Sequence, residues 1–192
     1  MRHMVNDDRA VMFQLDSNPF VCEAIGCPPV ASVDDVSERI KMLHVQYAET
    51  GIGRWAVVVR HTGDVVGWAG LKVEHNVNGH AEFFDLGYRF LPEHWGKGYA
   101  TECSRALVAY GFDVVKADKV CAYCKSINHG SRRVAEKAGL SLVTTFPGER
   151  MDEFWLEITE AEYRGGVASG EARASAASAV APTRSTTAAS SP

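Results

Sequence analysis

Residues 91–102, with the sequence LPEHWGKGYATE, constrain the fold more than any other part of this chain. A strand-like run precedes them at 83–90, and a helix-like run follows at 100–115. Gly96 and Gly98 tolerate the positive φ that lets several backbone amides converge on one point, and they leave room for a bulky anion. The start of the following helix adds partial positive charge. The segment therefore predicts a strand–turn–helix unit that holds phosphate oxygens.

Two common phosphate-binding motifs do not fit this turn. The phosphate loop of NTPases needs Ser or Thr after its Gly-Lys pair, and here Gly98 follows Lys97. A dinucleotide fingerprint needs a third glycine three residues after the second, and here that position holds Thr101. An ordinary glycine-rich turn without a ligand is the alternative to a different class of phosphate site.

The turn resembles the acyl-CoA pyrophosphate motif of the GNAT N-acetyltransferase superfamily, Gln/Arg-x-x-Gly-x-Gly/Ala, which aligns with WGKGYA at 95–100. Trp95 departs from the general pattern but is typical of the branch that contains the ribosomal-protein alanine N-acetyltransferases (Rim-type). A second block, NHGSRRVAEKAGL at 128–140, is similar to that branch's Asn-x-x-Ser-x-x-Val-x-Glu-Lys-x-Gly-Phe. The resemblance covers roughly residues 7–164 and does not specify the substrate.

The order of hydrophobic periodicities predicts an α+β fold. The predicted elements are a helix at 5–25 interrupted by Pro19, a helix at 32–49 with a Ser32/Asp35 capping box, strands at 54–60 and 65–73, a polar loop at 74–80, a strand at 81–91, a helix at 100–115, a strand at 119–125, a helix at 128–138, and strands at 140–146 and 153–159. The resemblance implies a mixed, mostly antiparallel twisted sheet flanked by helices (an α/β sandwich), splayed near its middle.

The two ends of the chain depart from the core pattern. Relatives in this branch begin with an edge strand, and here only residues 1–5 occupy that place. We expect that strand to be lost, or the true start to lie upstream, with an unpaired edge along 54–60. Residues 165–192 are rich in Ala, Ser and Thr and carry no aromatic side chain, so we expect an acetyltransferase domain at 1–164 and a disordered tail at 165–192.

Composition excludes several functional classes. The formal net charge of −4 argues against nucleic acid as a partner. No apolar run approaches the ~18–20 residues of a membrane helix, and no leader peptide is visible, so a cytoplasmic location is expected. Cys121 and Cys124 have a C-x-x-C spacing, but on a strand they point to opposite faces. We therefore expect no metal site and no disulfide framework.

The resemblance implies direct transfer of the acetyl group of acetyl-CoA to a primary amine, which belongs either to a protein N-terminus or to a small molecule. Backbone amides of the turn are expected to bind the pyrophosphate. The end of the preceding strand is expected to pair with the pantetheine arm and to polarise the acetyl carbonyl. The predicted cofactor-binding residues are Phe90, Leu91, Trp95, Gly96, Lys97, Gly98, Tyr99, Ala100, Thr101, Asn128 and Ser131.

Two residues are the candidates for acid–base catalysis. Asp85 aligns with a carboxylate of relatives, and apolar neighbours would raise its pKa toward that of a general base. An anchor for the substrate ammonium group and a structural ion pair are its alternatives. Ser131 aligns with a serine near the cofactor sulfur, where hydrogen-bond stabilisation of the thiolate is expected. Tyr88 and Tyr123 are the fallback acids.

Several alternatives stay open at the level of the sequence. An acyl-CoA-binding regulatory module without turnover would keep the turn and need no base. A monomer and a homodimer are both compatible with the pattern. Residues 20–30 and 74–80 are expected to face the acceptor, although no motif identifies them. His75, His80 and His94 lie in predicted loops, and any of them is a candidate for the acceptor site.

Overall fold

The computed structural model describes residues 1–168 as one helix–sheet assembly. Its helices are α1 (Arg9–Asp16), α2 (Pro19–Ile25), α3 (Val33–Thr50), α4 (Tyr99–Tyr110), α5 (His129–Lys137) and α6 (Glu160–Ala168). Its strands are β1 (Arg54–Val58), β2 (Val65–Val77), β3 (His80–Phe90), β4 (Lys119–Lys125), β5 (Ser141–Pro147) and β6 (Asp152–Thr159).

The six strands form one mixed sheet in the order β1-β2-β3-β4-β6-β5. Every neighbouring pair is antiparallel except β3 and β4, which are parallel. Helices flank this sheet, and the predicted fold class is confirmed.

The sheet opens between β3 and β4. These two strands pair only at Phe84–Val120 and Asp85–Cys121, whereas β2 remains paired with β3 along most of its length. Beyond Asp85 the two strands separate. Because parallel strands run in the same direction, the carboxyl ends of β3 and β4 lie on the two sides of the resulting gap. The splay implied by the resemblance is therefore present.

Apolar side chains form clusters on the two faces of the sheet. Alternate residues of a strand point to opposite faces, so Leu71 and Trp68 of β2 belong to different layers. The cluster on the α4 side includes Leu71, Leu86, Leu107, Phe112, Val120 and Leu156. The cluster on the α1–α3 side includes Met4, Met12, Leu15, Val21, Ile40 and Leu91, with Trp68 packed against it. Each fully buried aliphatic or aromatic side chain stabilises the fold by roughly 1.5–3 kcal/mol. The gap lies between these two layers.

The predicted polar loop at 74–80 is wrong. Strand β2 continues to Val77 and β3 begins at His80, so only a two-residue turn separates them. Asn78 and Gly79 have φ of 50° and 78°. Positive φ at both central residues is the requirement of a tight hairpin turn, which Asn-Gly fulfils well. The charged and polar residues before this turn hide the alternation of apolar and polar side chains that indicates a strand.

The N-terminal segment covers part of the β1 edge. Arg2 exchanges two backbone hydrogen bonds with Ala56, with N–O distances of 3.1 and 2.9 Å. An ion pair between Arg2 and Asp8, at 2.6 Å, holds the segment near α1. The predicted loss of the edge strand is thus nearly complete, because a single bridge takes its place. The β1 edge is paired at one position rather than left entirely unpaired.

The helices follow the predicted signals closely. Pro19 occupies the first turn of α2, so the first predicted helix is two helices. The Ser32 and Asp35 capping box begins α3. The helix after the turn changes at Gly111 into a π-helical segment, Gly111–Val115. Helix α6 continues to Ala168, four residues beyond the predicted domain boundary, and the rest of the predicted disordered tail lies outside the described residues.

Candidate active site

The glycine turn adopts the backbone conformation that its sequence predicts. Gly96 and Gly98 have φ of 72° and 88°, a region that residues with a Cβ rarely adopt. A Cβ built on either glycine would meet no atom within 4 Å. The turn therefore presents an open outer surface, and a large anion can approach its backbone.

The amides of this turn are available to a ligand. Among residues 1–168, no protein acceptor is found for the amides of residues 96–101. The first turn of any helix leaves its amides unsatisfied, and Gly98, the N-cap of α4, has no side chain that could bond them. The carbonyl of Gly98 accepts from the amide of Glu102 at 3.0 Å, which begins the helical ladder. Six successive donors at the positive end of α4 are therefore suited to binding an anion.

Phe90 and Leu91 differ in what their backbone can offer. The Leu91 amide donates to the Val66 carbonyl at 3.1 Å, and the Leu91 carbonyl accepts from His94 at 2.9 Å. Successive amides of a strand point to opposite edges. The Phe90 amide therefore points away from β2 and into the gap. The Phe90 amide is therefore open to a ligand in the gap, whereas both backbone groups of Leu91 are bonded within the protein.

Trp95 fixes the turn to the end of β3. Its indole Nε1 donates to the Phe90 carbonyl at 2.7 Å, and about half of its surface, 49%, is exposed. Tyr99, Ala100 and Thr101 line the cleft behind it, while Lys97 is exposed. Trp95 thus acts within the protein as a clamp on the turn.

Asn128 has a positioning role in the structure. Its side-chain Oδ1 accepts from the Ser131 amide at 3.0 Å, which caps α5. Its Nδ2 donates to the Ala24 carbonyl at 3.2 Å, which joins α5 to α2. Asn128 is therefore the N-cap residue of α5. One Nδ2 hydrogen and one lone pair of Oδ1 remain available for contact with a pantetheine arm.

Tyr88 and Ser131 meet across the gap. The Tyr88 hydroxyl lies 2.9 Å from Ser131 Oγ and 3.2 Å from the Ser131 carbonyl oxygen. Burial raises the pKa of Tyr88, so its phenol stays protonated and acts as a donor near neutral pH. Tyr88, considered from sequence only as a fallback acid, is thus directly coupled to the predicted serine.

Asp85 is buried at the narrow end of the gap in an ion pair with Arg54. The guanidinium of Arg54 bonds Asp85 Oδ2, and its Nη1 also donates to the Asp85 carbonyl at 3.1 Å and to the Gly70 carbonyl. Burial raises the pKa of Asp85, and the Arg54 charge opposes that rise. Oδ1 of Asp85 has no donor among the described residues. The ion pair, one of the alternatives for Asp85, is therefore present.

Sequence reasoning missed Arg54, which lies in β1 at a distance of 31 residues from its partner. Two glycines make the contact possible. The Arg54 guanidinium occupies the space in which a Cβ of Gly87 would lie, at 2.6 Å, and β1 crosses so close to Gly70 that a Cβ there would clash with Gly53. Gly70 and Gly87 face each other on β2 and β3 and leave room for the Arg54 side chain to cross the sheet. This pair of glycines was the sequence signal that could have indicated the contact.

The far end of the cleft collects further polar groups around Tyr123. Burial raises the pKa of the Tyr123 phenol, and the carboxylates of Asp85 and Glu74 raise it further. Glu153 adds a third carboxylate, and burial raises its own pKa. Of the residues expected to face the acceptor, Glu74 lies here.

The three candidate histidines lie in different parts of the structure. His94 lines the cleft, and its Nδ1 is buried without a hydrogen-bond partner among the described residues. His75 lies 3.6 Å from a Glu82 oxygen on the hairpin. His80 stacks on Trp155 with 4.6 Å between ring centroids. Only His94 therefore remains near the site.

These groups line one continuous cleft of about 700 Å³. The turn and the Tyr88–Ser131 pair lie toward one end, and Asp85 with Tyr123 lies toward the other. Val21, Ala24 and Ile25 of α2 form part of its wall. Within residues 1–168, no group of three or more His, Cys, Asp or Glu side chains could hold a metal ion, and no helix is long and apolar enough to cross a membrane.

Comparison with known proteins agrees with this geometry. The family model described as Acetyltransferase (GNAT) domain matches residues 1–141. An uncharacterized N-acetyltransferase, p20 of Bacillus licheniformis, is 28% identical over 171 residues, which cover 86% of this chain and 94% of that protein. The FsC-acetyl coenzyme A-N(2)-transacetylase of Aspergillus fumigatus is 26% identical over 171 residues, covering 82% of this chain and 72% of that protein.

A solved structure shares the fold. Spermidine N-acetyltransferase from Vibrio cholerae, in complex with CoA and spermine, superposes with a TM-score of 0.69 at 19% identity, covering 85% of this chain and 96% of that one. The family model and the N-acetyltransferase relatives identify an acetyl-CoA-dependent N-acetyltransferase. By the family match, the chain belongs to the GNAT acetyltransferase family. These matches support the superfamily rather than the Rim-type branch, and they do not favour a binding module without turnover.

Proposed function

We propose that this enzyme transfers the acetyl group of acetyl-CoA directly to the primary amine of a small molecule. The observation that carries the proposal is the β3–β4 gap, which joins the phosphate turn to Asp85 and Tyr123 in one cleft. Helix α2 walls that cleft, and the Asn128–Ala24 hydrogen bond holds α2 against α5. A walled cleft suits a small amine better than the end of a folded polypeptide.

The cofactor side of the proposed mechanism uses mainly backbone groups. The six amides of residues 96–101 bind the pyrophosphate, and the Phe90 amide bonds the pantetheine arm or the acetyl carbonyl. A donor aimed at that carbonyl stabilises the charge that develops on its oxygen during attack. The Tyr88 hydroxyl and Ser131 Oγ, 2.9 Å apart, then stabilise the departing thiolate. The Tyr88 hydroxyl donates its proton in a hydrogen bond to Ser131 Oγ, which leaves the Ser131 hydroxyl proton to bond the thiolate.

The acceptor side of the mechanism uses side chains. An amine must lose a proton to become a nucleophile. Asp85 Oδ1 is proposed to receive that proton, directly or through a water, while Oδ2 stays paired with Arg54. The Arg54 ion pair holds the carboxylate in place, and burial brings its pKa nearer to neutrality. Tyr123, protonated and adjacent, is proposed to orient the amine.

A protein N-terminal amine is the second candidate acceptor. The blocks at 95–100 and 128–140 favour it, because they resemble the ribosomal-protein alanine N-acetyltransferases. The similar proteins include the FsC-acetyl coenzyme A-N(2)-transacetylase and the spermidine N(1)-acetyltransferase of Escherichia coli. Small amines are therefore the first compounds to test.

The test is an acceptor screen with acetyl-CoA, following CoA release and identifying products by mass. The panel contains spermidine, kanamycin, ω-amino acids, alkylamines and peptides that begin with Ala or Ser. Turnover of small amines with peptides inactive is the expected result. Turnover of peptides alone would replace the small-molecule proposal by the second candidate. CoA binding without turnover of any amine would contradict the enzyme mechanism.

A further inference from the structure

A second cavity lies on the α1–α3 side of the sheet, next to the acceptor end of the cleft. Its volume is about 450 Å³. Three side chains, Arg54, Trp68 and Arg89, line both this cavity and the cleft. The two spaces are therefore neighbours across a wall of side chains, and a ligand that reaches Asp85 from this side passes along Trp68.

The floor of this cavity is an aromatic ring between two cations. The guanidinium carbons of Arg54 and Arg89 lie 5.3 and 5.2 Å from the centroid of the half-buried Trp68 ring. The apolar wall consists of Met4, Met12, Val36, Ile40 and Leu43. An alkyl or aromatic chain fits such a surface, because it removes apolar area from water.

The cavity carries more positive than negative charge. Its cations are Arg39, Arg54, Lys72 and Arg89, and Asp16 is its only carboxylate among the described lining residues. Arg54 and Lys72 are paired from the cleft side with Asp85 and Glu74. The buried Asp16 must therefore serve both Arg39, at 3.1 Å, and Arg89. Two guanidinium groups share one carboxylate, which leaves one positive charge uncompensated.

This surplus charge is accessible at Arg39. The Arg39 side chain is 55% exposed, whereas those of Arg89 and Asp16 are 17% and 11% exposed. Asp16 thus anchors one edge of each guanidinium, while Arg39 keeps donors directed to solvent. A guanidinium fixed in this way is suited to a carboxylate, which it can bind through two parallel hydrogen bonds.

We propose that this cavity binds the far end of the acceptor, and that the acceptor is an amine with an apolar chain that ends in a carboxylate. The inference rests on the proposed function, which places the reacting amine at Asp85. Arg39 and Arg89 recognise the carboxylate, and Trp68 supports the chain between. Asp85 and Arg89 are four residues apart on β3, about 13 Å along the strand, so the acceptor is an extended molecule.

The experiment compares three amines with the same chain length: n-hexylamine, 6-aminohexanoate and 1,6-diaminohexane. They differ only in an apolar, an anionic and a cationic end. The value of kcat/KM for 6-aminohexanoate should exceed those for the other two by about tenfold, the usual scale for a hydrogen bond to a charged group. Because Arg39 is half exposed, raising the ionic strength from about 0.05 to about 0.5 M should narrow that ratio.

Two variants of α3 distinguish recognition of the carboxylate by Arg39 from a general effect of positive charge on this helix. Arg39→Gln should bring the ratio of 6-aminohexanoate to n-hexylamine close to one, through a higher KM for the amino acid. Lys41→Gln removes an equal charge from the same helix, but Lys41 is exposed, pairs with Glu38 and lies outside the cavity. It should leave the ratio unchanged. CoA affinity and melting temperature, measured on both variants, report any structural damage.

The outcomes distinguish this inference from the proposed function. The inference is overturned if kcat/KM for 6-aminohexanoate does not exceed that for n-hexylamine in the unaltered enzyme. It is also overturned if the ratio of these two values is the same in Arg39→Gln and Lys41→Gln. Turnover of other small amines but none of these three would also overturn it and leave the proposed function standing. If no amine in the wider panel is acetylated, both are wrong.

Discussion

The two sides of the β3–β4 gap are built from different parts of the polypeptide. On the proposed cofactor side, the groups that would face the ligand are mainly backbone amides from one short segment, residues 90–101. On the proposed acceptor side, which includes the neighbouring cavity, they are side chains from α1, α3 and the first three strands, such as Asp16, Arg39, Arg54 and Asp85. The ligand preference of the cofactor side can therefore change only if the turn changes. The ligand preference of the acceptor side can change through single side-chain substitutions.

Replacing Asp85 with Asn should have the largest effect on turnover. Loss of a general base lowers rates by about 10²–10⁴-fold. Affinity for CoA should stay within about twofold of the wild type, because Asp85 lies away from the turn. The measurement is kcat with the best amine of the screen, together with CoA affinity by calorimetry. Equal losses of rate and CoA affinity would show that the two sides do not act separately.

The same substitution has a structural cost that needs its own control. Removing one partner of a buried ion pair typically costs about 3–5 kcal/mol, because Arg54 is left unpaired. The double variant Arg54→Gln, Asp85→Asn should recover part of the lost melting temperature without recovering turnover. If the double variant regains activity, Asp85 serves the fold rather than the reaction.

The pH profile provides an independent measure of Asp85. A general base works when deprotonated, and burial raises the pKa of Asp85 above its ordinary value of 3.8. The acidic limb of kcat/KM should therefore lie at higher pH than an ordinary aspartate would give, with activity falling as the pH drops through the raised pKa. A profile that stays flat down to the ordinary value would contradict a base at this position.

Replacing Gly98 with Val should affect the cofactor side alone. A β-branched residue at φ of 88° is strained, and the turn would have to move, which withdraws several amides from the pyrophosphate. CoA affinity should fall by roughly a hundredfold, given about 1.5–3 kcal/mol for each hydrogen bond to a charged group.

Gly63→Val is the matched control for this loss. Gly63 has φ of 81°, is equally open and lies in the β1–β2 turn, outside the cleft. It should lower the melting temperature without weakening CoA binding. If the two variants weaken CoA binding equally, the effect is one of general strain.

Replacing Tyr88 with Phe should have a smaller effect. It removes the hydroxyl that lies 2.9 Å from Ser131 Oγ. We expect kcat to fall by about tenfold, the usual scale for losing one hydrogen bond to a charged group. Ser131→Ala should cost a similar factor, and the double variant should cost little more, because the two residues share one hydrogen bond. Losses that multiply would show that the two hydroxyls act independently.

Cutting the chain after Ala168 should have the smallest effect. This cut keeps α6, whose Tyr163 stacks on Phe112 and whose Arg164 pairs with Asp113. Turnover and CoA affinity should change by less than about twofold, and stability by less than about 0.5 kcal/mol, as for surface changes away from special features. A loss of turnover would assign residues 169–192 a role at the cleft.

The conformation of the glycine turn could be predicted from the sequence because its determinants are local. A strand, two glycines and a helix start define where the amides point, and periodicity places those elements. Contacts with partners distant in sequence could not be predicted in this way. The Leu91 amide pairs with Val66, and the Asn128 side chain reaches Ala24. The hairpin at Asn78-Gly79 was concealed because charged residues continue into both strands.

The acceptor side could not be predicted because its contacts join distant elements. Arg54 of β1 reaches Asp85 of β3 across β2, and Asp16 of α1 meets Arg39 of α3 and Arg89 of β3. Neither set has a fixed spacing in sequence that a pattern would recognise. The facing glycines Gly70 and Gly87 carried the only local sign, since they are small where a side chain must cross.

Residue-resolved amide hydrogen exchange, with and without CoA, tests the central claim most directly. We predict that CoA slows exchange at the amides of residues 96–101, which have no acceptor among the described residues, and at the Phe90 amide, which faces the gap. The Leu91 amide, already bonded to Val66, should change little. CoA binding without slower exchange at residues 96–101 would contradict the assignment of this turn as the pyrophosphate site.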